Sequence, residues 1–461
     1  MTGLPPATLS QKSCELPCTL TSKAGVDPMQ SDKDPTNWIS NLCDDVILRI
    51  LSLLTMKEAA ATSVLSKKWK YLWIASLTHL VFDENVFADM DIVAFENMVD
   101  SLVHHFPKSM TLKEFCVRFD LYQSSETRIN KWLDFAFRAG TTRVELFLFE
   151  SMTTAYSVPI ELFHDLNHGN HFSGLRELFL IGAHMSDQVF EAIITTCASL
   201  ECLVMAWNDQ LLTAKCNVPH MKLKRLTIDC KFLDTLEIVA PNLASFSFWY
   251  SAFKKTIISI EDARCLVNLN ILTTIRKDYV FGQFSAYISQ LQCLTLDTKA
   301  VWERIMAYGE VPSFNNLTFL SLEHKNGVIP ALAYERAAIC MLEASPLLQR
   351  FELHLPQYHE TEGQHNMVPM SRHDKLKKIL LSGFECEEDI FFLSFMVNHT
   401  SVIEIVEVTT SFVNYYVLDG DGSFRQSFNE NKNIQMQRQH FEQICSSLLS
   451  TMPSNISMKL F

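Results

Sequence analysis

Residues 38–73 read WISNLCDDVILRILSLLTMKEAAATSVLSKKWKYLW, and the reading of the rest of the chain turns on them. From Asp45 to Leu54 only Asp45, Arg49 and Ser52 are polar; Val46, Ile47, Leu48, Ile50, Leu51, Leu53 and Leu54 are apolar. A helix this apolar on nearly every side is buried on more than one side. A unit of about forty residues has too little interior to cover it alone. The cover must come from the rest of the chain or from a partner. The punctuation predicts three short helices. Asn41 is placed to cap the first, with Asp44 and Asp45 near its N-terminus, where the helix dipole favours negative charge. Thr55-Met56-Lys57-Glu58 has the form of a capping box, so a second helix starts at Met56 and runs through Ala59, Ala60 and Ala61. Ser66 caps a third, on which Trp69 and Trp73 share a face. Lys67, Lys68 and Lys70 give that helix a basic outer side.

Ile39, Ser40, Leu42, Asp44-Asp45-Val46, Leu48, Ile50-Leu51-Ser52, Leu54, Lys57-Glu58-Ala59, Thr62 to Lys67, Trp69, Leu72 and Trp73 together resemble the F-box motif in its plant leucine-rich-repeat form. The resemblance spans residues 36–76. Two positions depart from it: Cys43 and Thr55 stand where prolines are expected. Proline at a first helical turn pre-sets the backbone and omits a donor that has no partner anyway. The resemblance implies an adaptor. Leu42, Val46, Ile47, Ile50, Leu51 and Leu54 would dock a Skp-type linker, and through it a cullin–RING ubiquitin ligase. Val64, Leu65, Trp69, Leu72 and Trp73 would form the core of the three helices.

The chain has 461 residues, 48% of them apolar, which is enough to fold a large array or several domains. A formal net charge of −13 argues against nucleic acid or an anionic membrane as the main partner. No apolar run reaches the length of a membrane span, and the N-terminus lacks the pattern of a secretory signal. Thirteen scattered cysteines without a Cys-x-x-Cys pair fit reduced thiols in the nucleus or cytoplasm. Residues 1–35, rich in Pro, Ser, Thr and Lys, read as a disordered leader.

From residue 77 one phrase recurs at irregular spacing: apolar, two residues, apolar, one residue, apolar. It appears as Leu77/Leu80/Phe82 and Leu112/Phe115/Val117, then as Leu175/Leu178/Leu180, Leu200/Leu203/Met205, Leu223/Leu226/Ile228, Leu243/Phe246/Phe248 and Leu266/Leu269/Ile271. It continues as Leu291/Leu294/Leu296, Leu317/Leu320/Leu322, Leu348/Phe351/Leu353, Leu376/Ile379/Leu381 and Ile403/Val406/Val408, and a variant holds Leu146 and Leu148. This is the strand of a leucine-rich repeat. Alternate residues along each strand point to one side, and stacked units make a continuous core beside a parallel sheet. The fold class expected is therefore α/β: three N-terminal helices, then an irregular leucine-rich-repeat solenoid over 77–374. Asp187–Cys197 and Tyr334–Ala344 read as helical returns, whereas the gap between Ile228 and Leu243 reads as irregular. Glu177, Phe179, Glu201, Cys202, Arg225, Thr227, Ser245 and Ser247 are expected on the concave face, where such arrays bind a protein substrate.

Residues 375–410 resemble the FBD segment that closes many plant F-box repeat proteins, with Glu387, Glu388 and Asp389 at a helix start. Residues 411–461 read as a strand near Asn414–Leu418, a loop, and a capping helix near Gln437–Leu449. Asp419, Asp421, Ser423 and Glu430 fall at calcium-loop positions, but Phe424 stands where that loop needs glycine, so the segment reads as a turn. His354, His359, His365 and His373 lack the spacing of a zinc motif and read as a polar loop. Cys14 and Cys18 have no further ligands nearby for zinc. The expectation is a chain with no catalytic residues, no metal and no cofactor. The F-box resemblance implies a substrate receptor of a ubiquitin ligase, with a ligase-independent binding scaffold as the alternative.

Overall fold

The computed structural model describes residue 39, residues 456–460, and residues 42–429 apart from breaks at 108–109, 122, 149–155, 165–170, 219–220, 251–255, 274–278, 325–330, 356–369, 384–386, 410–411 and 419–423. The N-terminal leader, Asn41, most of the calcium-like loop, His359, His365 and the expected C-terminal helix lie outside these residues. The chain separates into two compact units, Met1–Thr78 with Phe87–Met110, and His79–Val86 with Thr111–Phe461.

The first unit holds helices Asp44–Leu51, Met56–Ala61 and Lys67–Ser76, and the longer helix Ile92–His105. Local caps set where most of these begin. Thr55 and Glu58 form both halves of the capping box, and the Ser66 hydroxyl accepts from the Trp69 amide. Asp91 caps the fourth helix through the Ala94 amide. The first helix is shorter than the sequence suggested. It ends at Leu51, with Ser52 as C-cap, and its N-cap is Cys43, whose side chain makes no capping bond. Lys68 pins its start, pairing with Asp44 at 2.7 Å and donating to the Leu42 carbonyl.

The second unit is built on a parallel sheet of fourteen strands that runs in chain order, from His79–Asp83 to Ser457–Leu460. Each repeated phrase supplies one strand, and its last two apolar residues are buried side by side. Leu178 and Leu180 align with Leu203 and Met205, which align with Leu226 and Ile228. Parallel neighbours require a crossover between them, usually a helix. Where the connection is long it is helical, as at Asp187–Thr196, Thr298–Tyr308, Ala331–Glu343 and Glu387–Asn398. Where it is short, the chain does something the sequence reading missed. Thr213–Asn217, Thr235–Val239 and Ile257–Glu261 form a second parallel sheet, and Thr235–Val239 lies in the gap expected to be irregular. Ala214, Cys216, Leu236, Ile238 and Ile258 are buried on its inner side. No helix fits such short returns, and strand pairing satisfies their backbone groups instead.

Three further elements differ from expectation. In the third strand Val144 and Leu146, rather than Leu146 and Leu148, align with Leu178 and Leu180. Thr141 occupies the first apolar slot there, buried and donating to the Ala136 carbonyl, so the phrase was disguised. His354 lies in a strand rather than a loop, with Nδ1 2.6 Å from the Ser382 hydroxyl. At the C-terminal end, Phe412–Leu418 pairs antiparallel with Phe424–Asn429, and Ser457–Leu460 adds as the last strand of the main sheet beside Ile405–Thr409.

Candidate functional site

Two surfaces carry the residues singled out by sequence. The first is the Asp44–Leu51 helix and the turn after it. Ile47 and Leu51, four apart, are 0% and 1% exposed and belong to the unit's interior. Both were expected to meet a partner, and the structure places them inside the chain. Val46, Ile50 and Leu53 stand out at 43%, 38% and 75% exposed, spaced as one stripe along the other side. Leu42 and Leu54 are half-buried. Trp69 and Trp73 are buried as expected of core, with the Trp69 indole N–H 3.3 Å from the Ile39 carbonyl, and Leu72 is half-buried. Val64 and Leu65 are corrections. They were expected in the core but are 86% and 41% exposed, in the tight turn Thr62–Val64 and the residue after it. Ile47, Leu51, Ala59, Trp69 and Trp73 occupy the small interior. A unit this size cannot enclose every apolar side chain.

The second surface is the face of the main sheet opposite the repeated leucines. Register places Glu177, Cys202 and Arg225 in one row and Phe179, Val204 and Thr227 in the next, and Ser245 and Ser247 extend both. Glu201 does not belong to this face. It precedes its strand and sits in a ladder of charges between Arg176 (3.0 Å) and Lys224 (2.7 Å), where the Lys224 ammonium holds its carboxyl below the usual range. Glu177, Arg225, Ser245 and Ser247 are half-buried, but Phe179 and Thr227 are fully buried. Phe179 joins Ile181, Cys202, Val204 and Ala206 in a second apolar cluster, against which the partly exposed Phe147 and Trp207 pack. Burial pushes the Cys202 thiol up to about 11, so it is a packing residue at neutral pH.

Beside this cluster runs an ion network that the sequence reading did not find. Glu145, 2% exposed at its side chain, receives Arg118 Nη2 at 3.0 Å and Arg143 Nη2 at 2.8 Å. Arg118 also reaches Asp83 at 3.1 Å and Arg143 reaches Glu114 at 3.2 Å. The Arg143 guanidinium lies 4.1 Å from the centre of the Phe179 ring. Burial works against charge on Arg118, but its bonds to Glu145 and Asp83 outweigh this and raise its pKa. Sequence gave no signal for the network, because strand register alone brings Asp83, Arg118 and Phe147 level.

Among the described residues no cluster of His, Cys, Asp and Glu side chains is arranged to hold a metal, and no helix is long and apolar enough to cross a membrane.

Comparison with known proteins agrees with this architecture. The family model for the leucine-rich-repeat domain of At1g61320/AtMIF1 matches residues 163–460, and the F-box domain model matches residues 39–76. The chain belongs to the F-box/leucine-rich-repeat family. Among its Arabidopsis thaliana relatives, F-box protein At1g80960 is 25% identical over 55% of this chain and 56% of its own length. The F-box/FBD/LRR-repeat protein At1g13570 is 28% identical over 46% of this chain and 53% of its own. Putative F-box/LRR-repeat protein At3g59160 is 23% identical over 70% of this chain and 83% of its own. The alignments thus reach little more than half the length of the first two. The FBD-like reading of residues 375–410 has its counterpart in the names of such relatives. An F-box joined to a repeat array is the domain arrangement of F-box adaptor proteins.

Proposed function

We propose that this F-box/leucine-rich-repeat protein is the substrate-recognition subunit of an SCF-type (Skp–cullin–F-box) ubiquitin ligase, working in the nucleus or cytoplasm. The F-box docks a Skp-type adaptor, the adaptor docks a cullin–RING ligase, and the repeat array holds a protein substrate. The chain itself does no chemistry. It raises the effective concentration of substrate beside the ubiquitin-charged enzyme, and proximity of this kind substitutes for a slow bimolecular encounter.

The observation that carries this reading is the stripe Val46, Ile50 and Leu53, which the three-helix unit leaves open to solvent. Exposed apolar residues aligned along a helix and the turn that follows it mark an interface. At both departures from the motif the backbone still starts a helix. Thr55 supplies a full capping box in place of the expected proline. Cys43 takes up φ −68°, the value a proline would impose, with no proline present.

The test is reconstitution. The purified chain, a Skp-type adaptor, a cullin and its RING subunit are expected to co-elute as one complex and to support ubiquitin transfer to proteins captured by the chain. Binding of the adaptor without any cullin would point instead to a ligase-independent scaffold. Failure to bind the adaptor would remove the proposal.

A further inference from the structure

Within the reading of the array as a substrate receptor, one part of the sheet's open face stands apart. Trp207 has φ +59°, a left-handed conformation that a bulky residue rarely adopts. It sits where the strand Cys202–Asn208 slips register between Met205 and Asn208. The slip breaks strand alternation. Trp207 packs on the apolar cluster, its ring 5.6 Å from that of Phe147 and inclined at 69°. The strand between them, Glu177–Ile181, is followed by Gly182, itself at φ +71°, where a Cβ would lie 2.1 Å from the Leu148 carbonyl oxygen. Asn208 locks the bulge from below. Its buried amide donates to the Met185 carbonyl and its Oδ1 accepts from the amides of Gln210 and Leu211.

The fold therefore holds a partly exposed indole in a strained backbone, at a position where glycine would remove the strain. Among the described residues the indole N–H has no hydrogen-bond partner. Strain of this kind is kept where the surroundings over-determine it, characteristically at ligand clamps. The charges around the pair are lopsided. The C-terminal ends of the neighbouring strands and the turns after them carry Asp83, Glu84, Asp120, Asp209 and Asp229. Among the described residues of these ends and turns the opposing cations are Arg118, already committed to Asp83 and Glu145, and Lys231, turned over the Phe232 ring at 5.4 Å.

We infer that Phe147 and Trp207, with the carboxylates around them, form the part of the array that grips substrate, and that the gripped element is a cationic peptide segment with an apolar anchor. Lys or Arg side chains of the segment meet the carboxylates and stack on the indole face. An adjacent aromatic or leucine side chain packs on the exposed side of the joined rings. Trp is the residue most often found to dominate such contacts, and its rigid ring loses little entropy on binding.

The test uses the full chain and a phage-displayed library of random peptides. Peptides selected on the wild type are expected to combine Lys or Arg with Phe, Trp or Leu. A synthetic winner is then titrated by fluorescence anisotropy against Trp207→Gly and against Asp209→Lys with Asp229→Lys. Trp207→Gly is expected to weaken binding about 30-fold or more in a chain that circular dichroism shows still folded, since the strain glycine relieves offsets part of the packing lost with the indole. The charge reversal is expected to weaken binding and to reduce its sensitivity to salt. No enrichment over background, enrichment of acidic peptides, or unchanged affinity in Trp207→Gly would each overturn the inference. Adaptor binding is measured on the same samples. Retained adaptor binding with no peptide capture refutes only this grip, whereas peptide capture without adaptor binding refutes the ligase role and leaves the grip standing.

Discussion

Replacing Ile50 and Leu53 together by Asp separates the F-box's docking stripe from its interior. Complete burial of a Leu or Ile side chain contributes about 1.5–3 kcal/mol. Ile50 and Leu53 remain 38% and 75% exposed in the free chain. Docking therefore has roughly 2–3 kcal/mol of apolar burial still to gain from these two side chains. Its loss corresponds to about 30- to 150-fold in Kd, and two carboxylates stranded in an apolar contact would weaken binding further. The unit should stay folded, because exposed substitutions shift stability by about 0.5 kcal/mol and a carboxylate beside the helix C-terminus adds about 0.3–1 kcal/mol. Leu51, one residue from Ile50, is 1% exposed, so Leu51→Asp buries a charge and should unfold the three helices. The assay is calorimetric titration of each variant with a Skp-type adaptor, with circular dichroism to confirm folding. An unchanged Kd in a folded Ile50→Asp, Leu53→Asp chain would refute the reasoning. So would a Leu51→Asp chain that melts like the wild type.

Other perturbations probe the array. Gly182→Ala forces a side chain into a left-handed backbone and against the Leu148 carbonyl, and should cost at least about 2 kcal/mol in a denaturant melt; an unaltered midpoint would contradict the packing described. Glu145→Ala removes the carboxylate that Arg118 and Arg143 share. Solvent reaches both guanidinium groups, so the expected cost is about 2–3 kcal/mol rather than the full value for a buried pair, read as a shifted chemical-denaturation midpoint. Phe246→Ala empties a fully buried ring position and should cost about 3–5 kcal/mol by the same measurement. Glu352 carries a pH signature. Burial favours its neutral form, but bonding from His354 and the charge of Arg350 outweigh this and lower its pKa below 4.5. A lowered carboxylate pKa contributes stability above the unfolded value, and that stability is lost as the pH falls through the folded one. Stability of the wild type should thus fall below about pH 4.5, and Glu352→Gln, neutral throughout, should flatten that limb; parallel profiles would argue against the assignment.

How much of this was legible in the sequence follows the range of the interactions concerned. Thr55, Glu58 and Ser66 announced their helices correctly, because a cap is a bond between residues three apart. The repeated phrases announced the sheet, because each encodes one strand's inward pair. Thr141 hid one phrase behind a polar residue, and Ser457–Leu460 was too short to be seen as a repeat at all. The second sheet was missed because strands of that length take their identity from the neighbour they pair with.

The sequence by itself determined that three short helices, two of them with side-chain caps, precede a parallel array, since local hydrogen bonds and a two-residue alternation leave little other choice. Only the tertiary structure decided which apolar side chains remain outside. Ile47 and Ile50 look alike in sequence, as do Phe179 and Phe147, and each member of a pair ends on a different side of the protein surface. Burial is a property of what packs opposite a residue, and register and bulge fix that across distances the local pattern does not span. The strained Trp207 and the shared carboxylate of Glu145 belong to the same class, because both exist only where neighbouring strands are held level.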